Sequence, residues 1–375
     1  MKKIIIPLLI ILGVMGAYYW VTVRPSDSSV LRSPVVLPKV TVSVKPTAPP
    51  ASQLNKAIFF PSWAGLDKAD LSSYDRVYYF SATADESGIK EISKVEKELQ
   101  SVAFLFPQKE KYLTLKMTDS ESNFSVLKNP AIEEKIRREA IRLLKNYRFK
   151  GVLIDLELFS IFNDDIKTQI SDFVYNFYTE AKKENLQTLV VLYGDVFFRK
   201  RPYDVKYLGD NSDGILVMAY DFHKANGEPG PNFGLSGKGI WGYDFKTMIA
   251  DYRAVVPVEK LTVLFGMYGY DWSVDEKRRP IRPAKALSLK EIKSRFIEKC
   301  EWKNCLSRRD DASAETEIEY VKDYFDPNPV TNPDKLVSLD YHIIWFEDEQ
   351  SVAKKVEYLR GQGISQIGYW VYGYF

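Results

Sequence analysis

Eight short apolar runs, separated mostly by helical segments, constrain this chain more than any other feature. They are 56–63 (KAIFFPSW), 75–83 (DRVYYFSAT), 111–117 (KYLTLKM), 150–158 (KGVLIDLEL), 186–194 (LQTLVVLYG), 212–223 (SDGILVMAYDFH), 260–272 (KLTVLFGMYGYDW) and 364–374 (ISQIGYWVYGY). Strands that are apolar on both faces and alternate with helices belong to parallel sheets covered on both sides. The helical pieces support this. In 129–148, Ile132, Ile136, Ala140, Leu143 and Leu144 recur at helical spacing behind Pro130, and further helices are expected at 166–185 and 349–363. Eight strands across residues 56–375 predict a closed (β/α)8 TIM barrel rather than an open doubly wound sheet. No glycine-rich strand-to-helix turn of the dinucleotide or phosphate type is present, which also disfavours the open sheet. The stretch between the seventh and eighth runs is too long for one helix. It predicts a small α+β insertion at about 273–345.

The N-terminus reads differently. Lys2 and Lys3 precede an uncharged, mostly apolar run from Ile4 to Val23 that ends at Arg24. About 20 apolar residues cross a bilayer. Gly16 and Ala17 offer a poor cleavage site, and Tyr18, Tyr19 and Trp20 suit a membrane interface. Residues 1–23 are therefore expected to be an uncleaved, single-pass signal anchor in the cell membrane, with secretion after cleavage as the alternative. The positive flank would stay inside, leaving the rest outside the cytoplasm. Residues 24–55, rich in Pro, Ser, Thr and Val, read as an extended linker to a monomeric barrel at 56–375.

Charge excludes some partners. With 52 basic and 50 acidic residues the chain has no basic stripe for nucleic acid. Two His and two Cys are too few for a His/Cys zinc site, and no cofactor is expected. Cys300 and Cys305 are candidates for a local disulfide, since no nearby His would activate either thiol.

In such a barrel, chemistry sits at the C-terminal strand ends. The fourth run ends in Asp155 and Glu157, the sixth in Met218, Tyr220 and Asp221, and the seventh holds Tyr268. The eighth carries Tyr369 and Trp370, and the first contributes Phe60 and Trp63. Residues two apart on a strand share a face, so Asp155 and Glu157 both point to the barrel axis. Two close carboxylates repel, which raises the pKa of one, and a proton-carrying acid beside an anion is what glycosidic cleavage needs. An isolated D-x-E pair serves equally as a buried structural ion pair. The aromatic strand ends, suited to stacking on sugar rings, favour a saccharide site. His223 reads as a rim residue, and Trp241 and Trp272 either line a groove or pack the rim.

The fourth run, KGVLIDLEL, resembles the strand-four signature of glycoside hydrolase family 18, the chitinase family, usually D-G-x-D-x-D-x-E. MAYDFH resembles its strand-six motif and GYW its strand-eight Trp. GMYGYDW and IWFEDEQSVAKKVEYLRGQGISQIGYW are most similar to bacterial spore-cortex and cell-wall N-acetylglucosaminidases. This resemblance implies a substrate-assisted retaining glycosidase acting on N-acetylglucosamine-containing polysaccharide. It implies Glu157 as acid/base, Asp155 as the group orienting the 2-acetamido substituent, Tyr220 and Asp221 as its further partners, and Trp370 as the floor of the sugar site. The alternative is a non-hydrolytic glycan-binding protein on the same barrel, although lectin-like relatives typically lack the acid that Glu157 supplies. Departures from the pattern are Lys150 and Leu153 in the signature, LTLKMTD where the family has S-x-G-G, Met267 for Ile, and Tyr268 where Pro is common.

Overall fold

The computed structural model describes residues 53–66, 69–158, 164–300, 302–325 and 336–375. The expected anchor, 1–23, and nearly all of the linker lie outside them. Among the described residues no helix is long and apolar enough to cross a membrane.

Eight parallel strands close into a barrel: β1 (Asn55–Pro61), β2 (Arg76–Asp85), β4 (Glu110–Met117), β5 (Gly151–Leu156), β6 (Gln187–Tyr193), β7 (Gly214–Ala219), β8 (Leu261–Gly266) and β14 (Gln366–Trp370). Closure comes from pairing of β1 with both β2 and β14. A two-residue strand, β3 (Gly88–Ile89), folds back antiparallel on β2. The outer helices are α1 (Ile92–Leu105), α2 (Ser120–Leu127), α3 (Pro130–Asn146), α4 (Asp164–Lys183), α5 (Val205–Asp210), α6 (Phe245–Val255) and α7 (Glu349–Gly361). All six residues of β5 are buried, as a strand between barrel interior and helix layer must be. Helix α3 starts where the Asn129 side chain accepts from the Ala131 and Ile132 amides, with Pro130 in the first turn, where its missing N–H costs nothing. It buries Ile136, Ala140, Leu143 and Leu144 against the barrel.

The seventh run needs a correction. Its barrel strand stops at Gly266, and Tyr268–Val274 leaves as β9, the first strand of a separate five-stranded antiparallel sheet. The others are β10 (Lys285–Ser288), β11 (Lys303–Arg309), β12 (Thr316–Phe325) and β13 (Leu336–Phe346), in the order β10-β9-β13-β12-β11. Both halves of the run are buried on both faces, so hydrophobicity does not mark the handover. A short helical segment at 289–297 completes this α+β insertion, which begins a few residues earlier than expected. Cys300 and Cys305 are joined in a disulfide within it.

A buried polar chain ties the insertion to the barrel. The Lys355 ammonium, fully buried on α7, bonds Glu315 (2.8 Å) and Glu347. Glu315 accepts from the Asn232 and Phe233 amides (2.5 and 2.8 Å), and the Asn232 side chain accepts from the Asp221 amide (2.7 Å).

Candidate active site

Strand register decides which side chains meet. Neighbours across a parallel ladder share a face, so Asp155 (β5) lies level with Lys116 (β4), and Tyr193 (β6) with Met218 (β7). Trp370 (β14) lies level with Gly266, whose missing side chain leaves room for Tyr220 and Tyr268. The inward residues surround a cavity of about 250 Å3 at the C-terminal mouth. Of the expected site residues, Asp155, Glu157, Met218, Tyr220, Asp221, Tyr268 and Trp370 line it. Three others do not. Phe60 is buried on the outer face, its ring 4.9 Å from Tyr372, and β1 presents Phe59 instead. Tyr369 also faces outward, against Phe265 and Phe375. Both errors are one-residue slips of phase, which invert a strand's faces. Trp63 is 62% exposed at the rim, edge-on to Phe80 at 5.9 Å. Trp272 is wholly buried in the insertion, its indole donating to Gly227, and His223 holds the Pro231 carbonyl through Nδ1.

Burial dominates the electrostatics of the acid pair. It pushes the Asp155 carboxyl well up, the neighbouring Glu157 charge adds to this, and Lys116 opposes it. Glu157 is also raised by burial, opposed by a hydrogen bond from the Tyr193 hydroxyl (2.7 Å) and by Lys224. The pair therefore holds a proton to higher pH than an ordinary carboxylate. Beneath Asp155 lies Leu153, completely buried and level with Thr114 and Leu189. The acid next to Asp155 along the chain is thus Glu157, just past the end of β5.

The backbone of Glu157 is pinned from two sides. Asn123 donates to the carbonyls of Met117 (2.7 Å) and Glu157 (2.9 Å). The Tyr203 hydroxyl donates to Leu156 and accepts from the Leu158 amide, both at 2.9 Å. On the facing wall Asp221 has a left-handed backbone (φ 59°), which Asp tolerates better than most residues. Its carboxylate accepts from Tyr268 and from Tyr270 (2.7 Å). Tyr220 is half-buried and its hydroxyl is pushed well up by desolvation and the surrounding acids, so it stays a donor. Arg201 forks onto Asp195 (2.6 and 2.9 Å) and lies over the Tyr193 ring. Asn123, Tyr193, Asp195, Arg201 and Tyr203 were not singled out from sequence. Of these only Tyr193 carried a signal, as the last residue of its strand. Among the described residues no group of three or more His, Cys, Asp or Glu is placed to hold a metal.

Residues 50–374 match the sequence model of the glycosyl hydrolases family 18. The chain belongs to that family. It is 25% identical over 313 residues to the cortical fragment-lytic enzyme of Bacillus anthracis, covering 79% of this chain and 64% of that protein. The spore cortex-lytic enzyme SleL of Bacillus cereus shares its fold (TM-score 0.62, 19% identity, 86% of this chain and 72% of that one). So does the class V chitinase of Nicotiana tobaccum (TM-score 0.70, 17% identity, 86% and 95%). The chain spans 52% to 66% of the length of the curated relatives it matches.

Within a family 18 site, the Tyr193 contact makes a direct prediction. Tyr193→Phe removes a bond that favours the Glu157 carboxylate, so the Glu157 pKa rises further. If Glu157 must be protonated to act, the alkaline limb of kcat/KM against pH moves upward. A limb that stays put or moves down sinks this assignment.

Proposed function

We propose that this chain hydrolyses β-linked polymers of N-acetylglucosamine, peptidoglycan foremost and chitin-type glycans second, by a substrate-assisted retaining mechanism. One observation carries the reading: Asp155 and Glu157 share a cavity with Tyr220, Asp221 and the Trp370 ring. The sugar whose bond is cut rests on Trp370. Glu157 gives its proton to the glycosidic oxygen as the C1–O bond breaks, and the sugar's own 2-acetamido oxygen closes on C1. Asp155 accepts the acetamido N–H and balances the charge of the resulting oxazolinium, while the Tyr220 hydroxyl donates to the acetamido oxygen. Asp221, held by Tyr268 and Tyr270, steadies that wall. Glu157, now a carboxylate, takes a proton from the water that attacks C1 as the bond from C1 to the acetamido oxygen breaks, and the β configuration returns. Apart from proton transfer by Glu157, every role is positional or electrostatic, and none needs a cofactor. Glu157's raised pKa suits the acid step. Burial pushes Asp155 up as well, so the mechanism requires the arriving acetamido N–H and the developing positive charge to hold Asp155 as the anion while Glu157 keeps the shared proton.

In this proposal residues 1–23 tether the barrel to the outer side of the cell membrane through the linker 24–55. The test is turnover by the full chain on peptidoglycan and on chitin oligomers side by side, with proton NMR of the first product. Release of β-configured reducing ends is expected. Trp370→Ala should lower kcat/KM by about tenfold or more through lost stacking, in the range of a well-buried aromatic contact. Turnover on neither glycan overturns the hydrolase reading, and glycan binding without turnover would favour the non-hydrolytic alternative on the same barrel.

A further inference from the structure

A second cavity, of about 240 Å3, adjoins the first and takes no part in the steps above. Phe80 lines the first cavity only and touches the second through Lys116. Its ring lines the catalytic cavity, edge-on to Trp370 at 4.9 Å, and the Lys116 ammonium lies over it at 4.8 Å while lining the second cavity. A break in the β2–β4 register between Phe80 and Ala82 makes Ser81 an extra residue in β2. Bulges of this kind re-aim side chains beside active sites. Here the bulge lets Phe80 and Thr83, three apart, both lie level with inward residues of β4, Thr114 and Lys116. Ser81 itself lines the second cavity, and its hydroxyl oxygen is buried with no hydrogen-bond partner in the protein.

The charges around this cavity are unevenly satisfied. Lys90 is paired with Asp85 (2.7 Å) and Lys94 with Glu91 (3.2 Å). Lys116 has no carboxylate oxygen within 4.0 Å among the described residues. Glu98, across the cavity, is within hydrogen-bond reach of the Tyr79 hydroxyl (3.4 Å), and burial shifts it toward its neutral form. Burial also disfavours the charged form of Lys116, so an anion arriving there restores what desolvation removed. A half-buried ammonium on the cavity wall, with the partnerless Ser81 hydroxyl buried beneath that wall, suits a singly charged acceptor.

We infer that this cavity is a subsite for a carboxylate carried by the sugar next to the one resting on Trp370, held by Lys116 and Ser81. The inference rests on the hydrolase reading and narrows it: the preferred polymer alternates acetamido sugars with sugars bearing a free ether-linked carboxylate, as in peptidoglycan strands whose peptides have been removed, rather than the uncharged chain of chitin.

The experiment compares peptide-stripped peptidoglycan strands, whose lactyl carboxylates are free, with the same strands amidated by carbodiimide and ammonia. The wild-type full chain should cleave the free-carboxylate strands with the higher kcat/KM. Lys116→Met should reduce that preference by about tenfold, the worth of one charge-assisted hydrogen bond, and Ser81→Ala should reduce it less. Because each ratio compares two substrates on one variant, any influence of Lys116 on Asp155 cancels. A preference unchanged by both substitutions overturns the subsite. If the wild type cleaves neither strand, the hydrolase reading falls separately. The subsite is then judged on binding by titration calorimetry, with equal affinity for the two strands counting against it.

Discussion

Glu157→Gln should lower kcat on an acetamido glycan by about 10²- to 10⁴-fold, the usual contribution of a positioned general acid. Glutamine nearly matches glutamate in shape and can still accept from the Tyr193 hydroxyl, and the Asn123 and Tyr203 bonds to the flanking backbone do not involve the side chain. The substitution therefore removes a transferable proton without disturbing the frame that aims it. Glycan affinity should persist, because Trp370 and the acetamido contacts remain. Neutralising one of the pair also removes the repulsion that helps raise Asp155, so Asp155 should titrate lower in the variant. Carbon-13 NMR of labelled aspartate reads that shift directly. A variant that keeps more than a tenth of the wild-type rate would remove Glu157 from the acid role.

The second large effect is on stability. Lys355→Met should destabilise the barrel by about 3–5 kcal/mol, the cost of leaving a buried charge network without one partner. Lys355, Glu315 and Glu347 have wholly buried side chains, so water cannot replace the lost ammonium. Burial and the nearby Glu315 charge already push Glu347 up to about 8, with Lys355 opposing. Without the lysine Glu347 should keep its proton to still higher pH. The sign follows: a carboxyl raised on folding favours the folded state below its unfolded pKa, and that support is lost as pH rises through the folded value. The Lys355→Met deficit should therefore widen from pH 6 to pH 9, read as the urea midpoint at each pH. The lesion should also reach the active site, because Glu315 holds the Asn232 amide and Asn232 holds the Asp221 amide. A loss below about 1 kcal/mol would show that the protein repacks around the triad, as some buried ion pairs permit.

The barrel was legible because its signal is repeated. Eight apolar runs at helix-length intervals leave few arrangements that bury every strand, and all eight became barrel strands. The acid pair was legible for a similar reason, since D-x-E places two carboxylates on one face whatever the rest of the fold does. Phe60 and Tyr369 were misplaced because each sits beside another aromatic, Phe59 and Trp370. Local sequence does not say which of two adjacent rings faces inward. Register with the neighbouring strands settles that. The long run at 260–272 hid a change of sheet at Met267 because both sheets bury it equally.

The parts that hold the site in place were not legible at all. Asn123, Arg201, Tyr203 and Asn232 come from a helix and loops outside the strands, and each acts through a few hydrogen bonds that leave no periodic trace. Lys116 was not singled out from sequence, and only the register sets it level with Asp155. The chain's own order of residues thus determined the barrel, its insertion and the strand that carries the acids, because hydrophobic periodicity and side-chain alternation are local properties. Which side chains share a cavity, which donors steady Glu157, and which ammonium lies over Phe80 were decided only by closure of the barrel. Those are contacts between strands, and distance in space between strands is not written along any one of them.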